Sequence, residues 1–165
     1  MLTPKVRHAL LLICSCALLV AGLAVGFRHW EIQRAITTIE RCGGGISDDE
    51  AFLYTSGPVF VTFNIPGNPV VPTDADAEQI CHALTKFRQL KRVDFTGTAL
   101  SYTFFVELSR QCQIDMIQIR HTRCGDRGVQ ALAKNGATKE LYLEGLTLSN
   151  DTLSLLDHQK IRYVR

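Results

Sequence analysis

LKRVDFTGTAL (residues 90–100), IDMIQIRHTRC (114–124) and TKELYLEGLTL (138–148) are three writings of one pattern, each offset from the last by 24 residues. Apolar residues hold its first, fourth, sixth and eleventh places: Leu90, Val93, Phe95 and Leu100, then Ile114, Ile117, Ile119 and Cys124. The third copy carries Leu141, Leu143 and Leu148 behind an opening Thr138. Thr98 and Thr122 stand at the ninth place, where a hydroxyl can bond the backbone as the chain leaves a strand, and Leu146 breaks that rule. Ile161 and Val164 have the spacing that begins a fourth copy. A unit of this length returning at a fixed interval is the mark of a repeat architecture.

The fourth and sixth places point to one side of a short strand, because side chains alternate with period two. The third, fifth and seventh then point to the other. Helix signals follow each strand: Ser101 before Phe104, Phe105 and Leu108; Asp126 before Val129 and Leu132; Ser149 or Asn150 before Leu153 and Leu156. One such unit cannot bury its own apolar side, so the copies are expected to stack into an α/β slab, parallel strands on one face and helices on the other. The outward positions are Arg92, Asp94 and Thr96, then Met116, Gln118 and Arg120, then Glu140, Tyr142 and Glu144, and finally Tyr163 and Arg165. Aromatic, sulfur-bearing and charged residues in neighbouring columns have the make-up of a contact surface. The expected partner-binding set is Arg92, Asp94, Met116, Gln118, Arg120, Glu140, Tyr142, Glu144 and Tyr163.

Upstream, ALLLICSCALLVAGLAVGF (residues 9–27) carries no charge and as a helix reaches about 28 Å, against a hydrocarbon core of roughly 30 Å. It reads as a single transmembrane helix after a short basic tail (1–8) with Lys5 and Arg7; a cleaved signal peptide is the alternative reading. Residues 28–45 read as an amphipathic juxtamembrane helix, with Ile32, Ala35, Ile36 and Ile39 on one side and Gly43-Gly44-Gly45 as its stop. Trp30 falls near the membrane surface, where an indole is comfortable. Residues 46–89 read as an N-terminal cap and degenerate first repeat, with Val59, Val61 and Phe63 alternating as a strand before IPGNPVVP and a helix through Ile80 and Leu84. The repeats proper occupy 90–165.

The repeating unit resembles the leucine-rich repeat family, whose motif is LxxLxLxxN/CxL. With the apolar span and the helix FRHWEIQRAITTIERCGGGISDD, the whole chain resembles short, membrane-anchored bacterial repeat proteins of that family. The resemblance implies a short right-handed solenoid behind a membrane anchor, and no particular activity.

The charge of +2 provides no basic field of the kind that draws a protein to nucleic acid. Six cysteines include no CxxC pair and no zinc spacing, so no metal or other cofactor is expected. Cys42, Cys81 and Cys112 leave a disulfide open in an oxidising compartment, with no spacing that selects the pair. Glycine-bearing phosphate loops, GxSxG and HExxH are absent from the sequence, which argues against an enzyme. The expectation is a non-catalytic module at the cell membrane, its repeat domain outside the cytoplasm, binding a protein or an envelope polymer. Self-association as a structural envelope protein is the alternative.

Overall fold

The computed structural model describes residues 4–47 and 58–165, with side chains from residue 13 onward. Residues 48–57 of the expected N-terminal cap lie outside the described residues. The chain runs α1 (Pro4–Arg41), β1 (Gly44–Ser47), β2 (Val59–Phe63), a single 3₁₀ turn (Asp74–Asp76), α2 (Ala77–Leu84), β3 (Leu90–Asp94), α3 (Tyr102–Gln111), β4 (Ile114–Gln118), α4 (Gly125–Lys134), β5 (Thr138–Tyr142), α5 (Asn150–His158) and β6 (Arg162–Val164).

The strands form one sheet in chain order, β1 antiparallel to β2 and every later pair parallel. The 24-residue offset becomes the register itself: Leu90 pairs with Ile114 and Ile114 with Thr138, Val93 with Ile117 and Ile117 with Leu141. Like residues therefore stack in columns. Val61, Val93, Ile117 and Leu141 make one buried column, and Phe63, Phe95, Ile119 and Leu143 a second. Helices α2 to α5 cover this face, each packed on the next. Phe95 is the pivot of the core: its ring stacks on Phe63 at 5.1 Å and meets Phe104 and Phe105 edge-on at 5.1 and 5.7 Å. Burying one such ring contributes roughly 1.5–3 kcal/mol.

Strands β3, β4 and β5 leave the sheet through the same turn. Thr98 and Thr122 donate from Oγ1 to the carbonyls of Phe95 and Ile119, at 2.8 and 2.9 Å. Leu146 keeps only the backbone bond, its N–H donating to the Leu143 carbonyl at 3.0 Å. The residue before each of these is left-handed: Gly97 (φ +71°), His121 (φ +55°) and Gly145 (φ +77°). Glycine adopts that conformation without steric cost, whereas His121 holds it against one.

Three expectations need correction. The spans 9–27 and 28–45 do not make two helices. Nothing between Phe27 and Arg41 breaks the ladder, so α1 runs unbroken to Arg41 and stops at Gly43 (φ +82°). Its Ile32, Ala35 and Ile39 are buried against α2 and β1, which fastens the long helix to the sheet domain. Asp126, next, does not cap α4. That helix starts one residue earlier, at Gly125, and the Asp126 carboxylate instead accepts from Ser149 N–H and Oγ and from Thr152 Oγ1, at the start of the following helix.

The third correction concerns the last copy. Ile161 N–H donates to the Leu156 carbonyl just as Ala137 N–H donates to that of Leu132, so Ile161 is the counterpart of Ala137 and not of Ile114. From there the chain enters β6 two residues early, without counterparts of Thr138 and Lys139. Arg162 pairs with Glu140, Tyr163 with Leu141 and Val164 with Tyr142. Tyr163 thus shares the inward column of Leu141 and packs on the core, while Val164, expected inside, faces out.

The part of α1 from Ile13 to Phe27 is exposed along its length, with Leu18 at 74% and Leu23 at 69% exposure. The described helix from Ile13 to Arg41 is long and apolar enough to cross a membrane, and the exposure of its apolar stretch sets it apart from a core helix.

Candidate functional site

The face of the sheet opposite the helices is built from two main columns. One carries Phe60, Arg92, Met116, Glu140 and Arg162; the other carries Thr62, Asp94, Gln118, Tyr142 and Val164. Thr96, Arg120 and Glu144 follow at the exits of their strands. The register therefore brings together eight of the expected residues, Arg92, Asp94, Met116, Gln118, Arg120, Glu140, Tyr142 and Glu144, and removes Tyr163. Gln118 differs from the others in being 8% exposed. Arg165 lies beyond β6, its guanidinium 6.0 Å from the centre of the Tyr163 ring.

Phe60, Thr62, Arg162 and Val164 also belong to this face. The alternation VFVTF carried the signal for the first two. For the last two the only signal was the length of the connection after α5.

Charges on this face are mostly satisfied from strand to strand. Arg162 pairs with Glu140 at 3.0 Å and Arg120 with Glu144 at 3.3 Å. Asp94 accepts from the Thr96 N–H at 2.9 Å. Along the strand entries Asp115 accepts from both Lys91 and Lys139 at 2.7 Å, and these two bonds, Lys139 first, hold its carboxyl below the usual value of 3.8. Arg92 is the exception: among the described residues it has no ion pair. Its Nε, like that of Arg120 and the Thr96 hydroxyl, is covered yet has no hydrogen-bond partner. A guanidinium donor covered but unmatched costs free energy that an incoming acceptor restores.

The surface beside Tyr142 offers a half-buried ring, Met116 and the exposed Val164 within reach of these cations. Such a face can hold an extended segment that supplies a carboxylate or carbonyl to Arg92 and an apolar group to Tyr142.

The cysteines sit apart from it, on the helix side. Cys81, Cys112 and Cys124 are buried, and the Cys112 thiol lies 3.6 Å from the Cys81 carbonyl oxygen. Its bond with Cys112 and then its burial push the Cys81 thiol far up, and burial alone does the same to Cys124, so neither is a nucleophile at neutral pH. Among the described residues no group of three His, Cys, Asp or Glu side chains is placed to hold a metal ion. No protein-family model matches the chain, and no curated protein does.

Proposed function

We propose that this chain is a non-catalytic, single-pass membrane protein whose short leucine-rich repeat solenoid binds a protein or an envelope polymer through its strand face. The observation that carries the reading is Arg92: a cation without a counter-charge among the described residues, its Nε covered and unbonded, in a sheet whose neighbouring charges Glu140 and Arg120 are paired. The surface around it holds its charges fixed through cross-strand pairs, so little side-chain ordering remains to be done on binding. The 24-residue periodicity and the strand-to-strand register support the leucine-rich repeat assignment, with threonine at the turn where the family motif has Asn or Cys. The exposed apolar length of α1 supports the anchor. A short basic tail with Lys5 and Arg7 ahead of the span favours a repeat domain outside the cytoplasm, against the opposing charges of Arg28 and Arg34 behind it.

Capture from solubilised membranes tests it. With the intact protein as bait, Arg92→Ala and Tyr142→Ala should each weaken recovery of the partner by roughly 1–3 kcal/mol, with the fold unchanged. Recovery equal to wild type from both variants removes the strand face from the account. If light scattering of the detergent-solubilised protein gives a dimer or larger, lost in the same two variants, the partner is a second copy of the chain.

A further inference from the structure

Helices α1 and α2 flank a groove of about 560 Å³. Its walls carry three cations, Arg34, Arg41 and Lys86, against one carboxylate, Glu31. Glu31 is already engaged, 3.3 Å from Lys86 Nζ and 4.0 Å from Arg28. Arg34 and Arg41 have no carboxylate partner among the described residues, and the Arg34 guanidinium lies 5.6 Å from the centre of the Trp30 ring. Trp30 is 54% exposed at the mouth of the groove.

Because α1 is unbroken, the rise per residue fixes where this groove sits. With Phe27 as the last residue of the apolar span, Trp30 stands about 4.5 Å and Arg34 about 10 Å further along the axis. The headgroup layer occupies roughly 5–8 Å on each side of the hydrocarbon. Trp30 therefore stands in the headgroup layer, and Arg34, whose backbone lies just past it, reaches back toward the layer with its guanidinium beside the Trp30 ring. Lys86 is held at the same level, since its backbone carbonyl accepts from Arg28 Nη2 at 2.5 Å. Arg41, about 21 Å beyond Phe27, lies past the layer.

On the membrane-anchored reading above, we infer that the α1–α2 groove binds the phosphate headgroup of an anionic phospholipid, with Arg34 and Lys86 as its ligands and Trp30 packed on the glycerol and upper acyl region. The lipid supplies the counter-charge that Arg34 lacks. It also holds the domain at one angle to the bilayer, with the α2 C-terminus turned to the surface.

The chain's single tryptophan makes the test direct, since Trp30 lies in the proposed site. The full chain is placed in nanodiscs of an equimolar phosphatidylglycerol and phosphatidylcholine mixture, with bromine on the acyl chains of one lipid or of the other. Brominated phosphatidylglycerol should quench Trp30 with a preference of about 5-fold or more, the effect of a basic residue or two at an anionic surface. Arg34→Gln with Lys86→Gln should bring the preference to about one, Arg34→Lys should retain it, and Arg41→Gln should change it little. An excess of inorganic phosphate should leave it unchanged.

Strong quenching with no preference between the lipids overturns the inference and leaves the anchor standing. Phosphate that abolishes the preference marks a general anion site and also overturns it. Quenching by neither lipid removes the membrane reading itself.

Discussion

Gly145→Ala probes the turn that follows β3, β4 and β5. Gly145 is left-handed at φ +77°, and a Cβ built there would lie 2.2 Å from His121 Nδ1 and 2.5 Å from its Cε1. The backbone cost of an L-residue in that conformation is about 1–2 kcal/mol, offset by about 0.4–1 kcal/mol through the less flexible unfolded chain. Displacing the imidazole adds about 1 kcal/mol, at the low end for overpacking because His121 is exposed and its ring can swing. The expected total is about 2 kcal/mol. Urea unfolding of the full chain in detergent, followed by circular dichroism, reads this as a lower midpoint at unchanged slope. In a His121→Gly background the same substitution should cost only about 1 kcal/mol, because the ring is gone. Equal costs in the two backgrounds would show that the rings and turns of adjacent repeats do not stack as described.

The register of β6 predicts opposite outcomes for neighbours: Tyr163→Ala should destabilise by roughly 1–3 kcal/mol through loss of core packing, and Val164→Ser by less than about 0.5 kcal/mol, in the same urea assay. Leu141→Ala, fully buried beside Tyr163, should cost about 2–5 kcal/mol. Acid should loosen the joints between helices. Asp74 is raised by burial but lowered more by Ser101 and Thr103, and Asp126 is lowered by Thr152 and Ser149, so both carboxyls titrate below 3.8 in the folded chain. A depressed folded pKa stabilises above the unfolded value, and that contribution is lost as pH falls through the folded one. Stability should therefore drop below about pH 4, and less steeply in Asp74→Asn with Asp126→Asn; parallel curves for the two proteins would contradict these assignments.

Where a position is decided by burial, the sequence told its place. Val93, Ile117 and Leu141 recur at one interval because each must meet the same column of its neighbours, and the strand face followed from them by alternation. The turn threonines were legible for the same reason, their hydroxyls having one backbone carbonyl in reach. Connection length leaves no such trace. Ile161 and Val164 have the apolar spacing of a strand start, yet two missing residues after α5 carry Tyr163 inward, and only the hydrogen bond from Ile161 to Leu156 identifies the frame. Asp126 misled because an aspartate ahead of an apolar run serves its own helix or the next one equally well. The covered Nε of Arg92 depends on the packing of side chains around the strand, which no local pattern encodes.

Whether the strand face makes the contact is decided by site-specific photocrosslinking in the native membrane. A photoreactive residue at Met116 or Tyr142, on that face, should give a discrete crosslinked species. The same residue at Arg110 or Lys134, exposed on α3 and α4, should give none. Crosslinks from the helix positions with none from the strand positions would contradict the account.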